Sequence, residues 1–462
     1  MAGEVVLREK VVSFLSELSP AARNMLIRKL EGSGSGDAVG EQMRVILEAA
    51  RSFSGGRDSR PAETQPAAID MKARIFAPFA VFMVDEKLVN KQRGWILRES
   101  IDTLWTFLCQ EVLPEEFLEW REPRVSDDFT APGALDKEVA RLQALAFEKL
   151  VQRDRATQDE PKAHQRFLSR MGGETAYADF QDMVDMRGRL LALERLFTKL
   201  PTLSSGGDAS DRLMIEPIQA YLSEMPGDRT WVAAGLCSRI STTATLARIA
   251  TTLAGSQDAV DLRKSSGVPF IDIGLSMAER HIIRFQNQVR SDRANAQVTG
   301  EMRRFHEALR GLTTNLELEN DSAWRARLSQ LRRRFSEIIA GEIERILPVL
   351  RQALRVDEKS QPTDSDGAEA LFQISVFATA RLCRDSLAVN ELLTRVTPSI
   401  DQMVELYARE LPERLRRASG EYRSAALKAF DNLIAIAEHT NGEEYAAYLR
   451  RTRHNLLQPR SA

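Results

Sequence analysis

At 462 residues the chain exceeds what one core usually serves, so two or three structural units are expected. Its 43% hydrophobic and 28% charged residues exclude general disorder. With 64 basic residues against 66 acidic ones, the net charge of -2 argues against a surface adapted as a whole to nucleic acid. Arginine dominates the basic residues, with only twelve lysines, a bias that first reflects a GC-rich genome.

Cys109, Cys237 and Cys383 are far apart and odd in number, which points away from a disulfide framework and towards a reducing compartment. The opening MAGEVVLREKVVSF places Glu4, Arg8, Glu9 and Lys10 where a secretory signal needs an unbroken apolar run. No segment offers the roughly twenty apolar residues of a membrane span. Trp231 to Gly255 comes nearest, but Arg239 and Arg248 interrupt it, and it reads as one central, closely packed helix. A bacterial cytoplasm is the expected setting.

Helical periodicity recurs from end to end, and sustained β alternation is nearly absent. Residues 1–53 read as a small helical module. Leu7, Val11, Phe14 and Leu18 share one helix face, and Ser19-Pro20 opens a second helix carrying Met25, Leu26 and Leu30. The stretch 54–67 has the composition of a flexible linker, so the module is expected to be tethered. A main helical domain is expected over 68–356. It begins with a phenylalanine-rich segment (Phe76, Phe79, Phe82) that reads as core. Next comes a helix with Trp95, Ile101, Leu104, Trp105 and Leu108, ending near Pro114. Leu135, Val139, Leu142 and Ala146 outline another. Met183, Met186, Leu190, Leu193, Phe197 and Leu200 then keep three-four spacing as one helix stopped by Pro201.

The most regular stripe is Val298, Met302, Phe305, Leu309, Leu312 and Leu316. Ile282, Phe285 and Val289 show the same spacing in a shifted frame. One helix from about Ile273 to Leu318, on the order of 65 Å long, with a stutter at the frame shift, is the simplest account. A second long helix (Leu328, Leu331, Phe335, Ile338, Ile343, Ile346, Leu350) would complete an antiparallel, coiled-coil-like hairpin over 273–356. A polar linker over 357–367 precedes a C-terminal helical region, 368–462. There Thr397-Pro398 reads as an N-cap with proline in the first turn of a helix carrying Ile400, Met403, Val404, Tyr407 and Leu411, and final helices cover roughly 421–438 and 442–457. No repeat of helical-solenoid length appears. The expected fold is all-α: an irregular multi-helix bundle with a long hairpin and a small tethered module.

No complete chemical site emerges. None of His164, His281, His306, His439 and His454 follows a glutamate by three residues, and Arg310 stands where a zincin helix begun by His306-Glu307 needs its second histidine. There is no Gly-Lys dipeptide for a Walker loop, and Gly32, Gly34, Gly36 and Gly40 follow a helix rather than a strand. Neither a G-x-S-x-G elbow nor an S-x-x-K pair occurs. The sequence therefore assigns no catalytic, cofactor-binding or metal residues, and no cofactor.

Three features point to binding instead. The stripe of Phe14, Leu18, Met25, Leu26 and Leu30 belongs to a unit too small to bury it well alone, so it either packs back onto the main body or is the candidate docking surface for another protein or a second copy of the chain. The hairpin is a candidate dimerisation arm, although packing of its two helices against each other within one chain explains the same pattern more simply. Arg325, Arg332, Arg333 and Arg334, with Arg327 beside them and Arg450, Arg451 and Arg453 further on, form a candidate anion patch. Interleaved Glu337, Glu342 and Glu344 make a salt-bridged helix face the simpler reading. Nucleic-acid and peripheral membrane partners are not expected, the latter because the phenylalanine-rich segment lacks a basic face. The function expected is a non-enzymatic helical scaffold or adaptor, against the alternatives of a helical enzyme with a dispersed site or a binder of anionic surfaces.

Overall fold

The computed structural model describes residues 69–121, 133–201, 208–240, 242–291, 298–318, 322–357 and 361–458. The chain divides into two compact units, residues 1–69 with 124–127 and residues 70–123 with 128–462; the described residues beyond Ile69 belong to the second. That unit is almost wholly helical. It opens with α1 (Met71–Phe76), whose N-cap Asp70 accepts the Ala73 N–H at 3.0 Å. A 3₁₀ turn (Ala77–Phe82) follows, and Phe76, Phe79 and Phe82 are fully buried. β1 (Met83–Val84) and β2 (Ile96–Leu97) then pair in parallel, bracketing a strap of residues 85–95.

α2 (Arg98–Phe107) runs into a π-helical turn (Leu108–Val112) ahead of Pro114. α3 (Ala134–Gln158), α4 (Pro161–Met171), α5 (Glu174–Arg187) and α6 (Leu190–Lys199) follow. The stripe from Met183 to Leu200, expected on one helix, is divided between α5 and α6. The chain turns at Gly188, a poor helix former, where the Arg189 N–H bonds to the Met186 carbonyl at 2.8 Å. α7 (Asp208–Glu224), α8 (Arg229–Leu236), α9 (Thr243–Ala254) and α10 (Ala259–Lys264) come next. Trp231–Gly255 is likewise two helices rather than one. The Thr242 hydroxyl accepts the Ala244 N–H at 3.0 Å and caps α9, which lets both short helices bury their alanine-rich faces.

The long helix expected over 273–318 does not form. α11 (Val268–Ser291) and α12 (Val298–Asn315) are separate and pack antiparallel: Gly274 lies against Leu312, and His281 against Glu301. The frame shift marks a reversal rather than a stutter, because two facing stripes bury more apolar surface by folding together than along one exposed rod. α13 (Ala323–Glu344) then runs parallel to α11, with Trp324 bonded to Asp272 and Arg334 to Gln286. The long hairpin over 273–356 is thus replaced by a compact layer of α11, α12 and α13. Phe285, Phe305 and Phe335 seal it with edge-to-face contacts at 5.3 and 4.6 Å. Each such pair contributes about 1 kcal/mol beyond its burial.

α14 (Ile346–Leu354) continues to α15 (Asp364–Leu382), which begins inside the stretch expected as a linker. Polarity there is cap chemistry: the Thr363 hydroxyl accepts the Asp366 N–H at 3.2 Å, and the Asp366 carboxylate accepts the Thr363 N–H at 2.8 Å. α16 (Asn390–Arg417) passes straight through Thr397-Pro398, correcting the expected helix start. Thr397 donates its hydroxyl back to the Leu393 carbonyl at 2.7 Å, and packing on α17 (Gly420–Thr440) and α18 (Glu443–Leu457) holds the helix through both Pro398 and Pro412. Among the described residues no helix is long and apolar enough to cross a membrane.

Candidate functional site

Phe14, Leu18, Met25, Leu26 and Leu30, the docking stripe expected from sequence, lie outside the described residues. The arginines of α13 are placed, and they do not act as one group. Arg334 donates to Gln286 at 3.2 Å and sits 3.5 Å from Glu279, which Arg327 also approaches at 3.4 Å. Arg325 reaches the Leu318 carbonyl at 3.4 Å, Arg332 is half-buried, and Arg333 is exposed. Two of the five therefore turn inward to a carboxylate on α11, a partner that no spacing within α13 could reveal. Arg450 pairs with Glu443 and Glu438, and Arg453 with Asp431.

Glu279 belongs to a polar cluster formed where the strap of residues 85–95 crosses between α5 and α11. A buried carboxylate is tolerated only when its charge is met. On the α5 side Lys91 bridges Asp179 at 3.0 Å and Asp182 at 2.5 Å. The Gly94 and Leu97 N–H groups also donate to Asp182 and Asp179, at 2.8 and 3.0 Å. On the α11 side Glu86 takes Arg280 at 2.6 Å together with Arg284, and the Val89 N–H reaches Glu279 at 3.0 Å. Trp95 lies beneath the Arg280 guanidinium, 5.1 Å from ring centre, and its indole donates to the Ala234 carbonyl. Burial pushes the Asp179 carboxyl above its usual range, against the opposing pull of Lys91. The cavity under the strap is about 100 Å³, room for a few waters at about 30 Å³ each. This cluster fastens the strap to two helices.

The groove between α14 and α16 has different chemistry. It encloses about 600 Å³ and is lined on α16 by Ser399, Gln402, Met403, Leu406 and Arg409, and on α14 by Leu347 and Arg351. The α16 residues recur at three- and four-residue steps, so one helix face forms the wall. Leu406 is 50% exposed, a large apolar side chain on the side opposite the buried Val404 and Leu411. The floor is Tyr407, whose phenol burial pushes upward, with Arg414 opposing. The rim carries Arg351, which makes no ion pair with any described residue, and Arg409, which makes only an exposed contact of 3.5 Å with Glu405. Tyr445 and Tyr448 of α18, 6.1 Å apart, extend this face beside Glu405 and Arg409. Sequence reasoning identified Met403 and Tyr407 as a helix stripe and missed Leu406 and Leu347. The available signal was Leu406 itself, an apolar residue off the buried stripe of Ile400, Val404, Tyr407 and Leu411.

Among the described residues no group of three or more His, Cys, Asp and Glu side chains is placed to hold a metal ion. Burial pushes the thiols of Cys109 and Cys383 up to about 11 and that of Cys237 to about 12. At neutral pH such thiols stay protonated, and the thiolate is the nucleophilic form. Compared with known proteins, the chain matches no family model, no curated protein and no solved structure.

Proposed function

We propose that the protein is a non-enzymatic helical adaptor of the bacterial cytoplasm, and that the groove between α14 and α16 receives an acidic amphipathic helix from a partner protein. The observation that supports this reading is the pairing of an apolar wall with a cationic rim. Leu347, Met403 and Leu406 supply the apolar lining against which the i, i+3/i+4, i+7 anchors of an amphipathic helix dock. Arg351 and Arg409 outweigh Glu405 around it, so acidic residues flanking those anchors are favoured and basic ones repelled. The apolar stripe of Phe14, Leu18, Met25, Leu26 and Leu30 is a second docking element in this reading.

The test is affinity purification of the full chain from its host, beside Leu406→Arg, with cross-linking to map the bound segment. The expected result is a stoichiometric partner held by the parent chain, lost from the variant, and cross-linked through an acidic amphipathic helix. A partner held equally by both, or cross-linked elsewhere, overturns the reading. Cross-links to a second copy of the chain do so as well.

A further inference from the structure

A second concavity, of about 700 Å³, opens where the end of α15, the 3₁₀ turn Arg384–Ser386, the start of α16 and the end of α17 meet. That is within the roughly 300–1,000 Å³ typical of small-molecule sites. Its basic side chains are Arg381, Arg384 and His439, and its one acidic lining residue is Asp385. Arg381 makes no ion pair with any described residue; its guanidinium lies 5.9 Å from the Phe377 ring centre. Arg384 has only Asp385, at 3.9 Å with both side chains well exposed, a contact that contributes little. The guanidiniums that face the strap are met by carboxylates, Arg280 by Glu86 and Arg327 by Glu279, whereas Arg381 and Arg384 are exposed. Two guanidinium forks with little or no counter-charge, on adjacent elements lining one cleft, are suited to a phosphate group, which accepts their parallel N–H donors.

Two threonines on the wall narrow the ligand further. Thr394 and Thr397 spend their hydroxyl protons on the Asn390 and Leu393 carbonyls, at 2.9 and 2.7 Å. Their remaining lone pairs accept hydrogen bonds and do not donate to phosphate. A ligand bearing hydroxyl groups beside its phosphate satisfies both sets. Leu382, 69% exposed at the edge, adds an apolar contact.

We infer that this cleft binds a soluble phosphate ester of a polyhydroxylated small molecule, a sugar phosphate or nucleotide, with Arg381 and Arg384 on the phosphate and Thr394 and Thr397 accepting from hydroxyl groups. The site uses the face of α16 that carries Asn390, Leu393, Thr394 and Thr397. By the 3.6-residue period this lies opposite the face carrying Gln402, Met403 and Leu406. The inference does not depend on the docking groove, and either can fail alone.

The test is calorimetric titration of the full chain with ribose 5-phosphate and, separately, with inorganic phosphate and with vesicles containing phosphatidylinositol phosphate. Ribose 5-phosphate is expected to bind saturably at one site. Arg381→Ala and Arg384→Ala should each weaken it about tenfold, the loss of one charge-assisted hydrogen bond. Thr394→Val should weaken ribose 5-phosphate and leave inorganic phosphate unchanged. These side chains are exposed or at the rim, so the variants are expected to melt with the parent. Absence of saturable binding at millimolar ligand, or arginine variants that bind like the parent, overturns the inference. So does binding confined to vesicles containing phosphatidylinositol phosphate.

Discussion

Val89 donates its backbone N–H to the Glu279 carboxylate at 3.0 Å across 190 residues of chain, although Val89 itself is 70% exposed. The contact fixes the strap of residues 85–95 to the middle of α11 from outside, while Arg327 and Arg334 approach the same carboxylate from α13. One side chain thereby ties together three segments that are remote in sequence.

Replacing Glu279 with alanine removes the acceptor and takes from two partly buried guanidiniums the carboxylate that lies 3.4 and 3.5 Å from them. Breaking a buried ionic cluster in this way costs about 3–5 kcal/mol. Chemical denaturation should show that loss. Amide exchange should show the largest gain at Val89 and its neighbours in the strap. A variant as stable as the parent would mean that Glu279 does not hold the strap.

Gly235 offers a test of packing between α8 and α6. A Cβ at this position would lie 2.3 Å from Phe197 Cζ and 3.1 Å from Phe82 Cε1, in a region where both rings are buried. Gly235→Ala should destabilise the protein by about 1–3 kcal/mol through overpacking. A compensating Phe197→Leu should recover part of that loss. Helix propensity alone predicts the opposite sign, because alanine is favoured over glycine in a helix by about 1 kcal/mol. The measured sign therefore decides between packing and propensity.

Glu301 gives the fold a defined acid sensitivity. Burial pushes its carboxyl upward, but the hydrogen bond and charge of His281, with the charges of Arg304 and Arg284, more than offset this and hold it below the usual glutamate value. A carboxyl lowered in the folded state adds stability that is fully present above its unfolded value, about 4.3, and is lost as pH falls through the folded one. Urea midpoints should therefore fall more steeply below about pH 4 in the parent than in Glu301→Gln. Parallel curves would contradict the assignment.

The helices themselves were legible in the sequence because a buried face imprints a period. Ile282, Phe285, Met302 and Phe305 all fall on the predicted stripes and are all buried. Their connectivity was not legible. A stripe records which residues are buried, not whether the next turn continues the axis or reverses it, so two antiparallel helices read as one long one. Thr397-Pro398 failed for a related reason. The local rule for a helix start is outweighed when a 28-residue helix is gripped along its length by α17 and α18. The polar cluster lay beyond reach because Glu86 and Arg280, or Val89 and Glu279, share no local pattern. The groove was half legible: Met403 and Tyr407 stood on the stripe, while Leu347 lay on another helix.

The most direct test of the adaptor reading is selection of helical peptides from a displayed library on the full-length protein, counter-selected on Leu406→Arg. That substitution is at an exposed site and should change stability by no more than about 0.5 kcal/mol. The account predicts enriched peptides with apolar anchors at i, i+3/i+4 and i+7 and acidic flanking residues, which bind the parent and lose affinity for the variant and for Arg409→Glu. Enrichment of basic peptides, or of peptides that bind parent and variants equally, would contradict it.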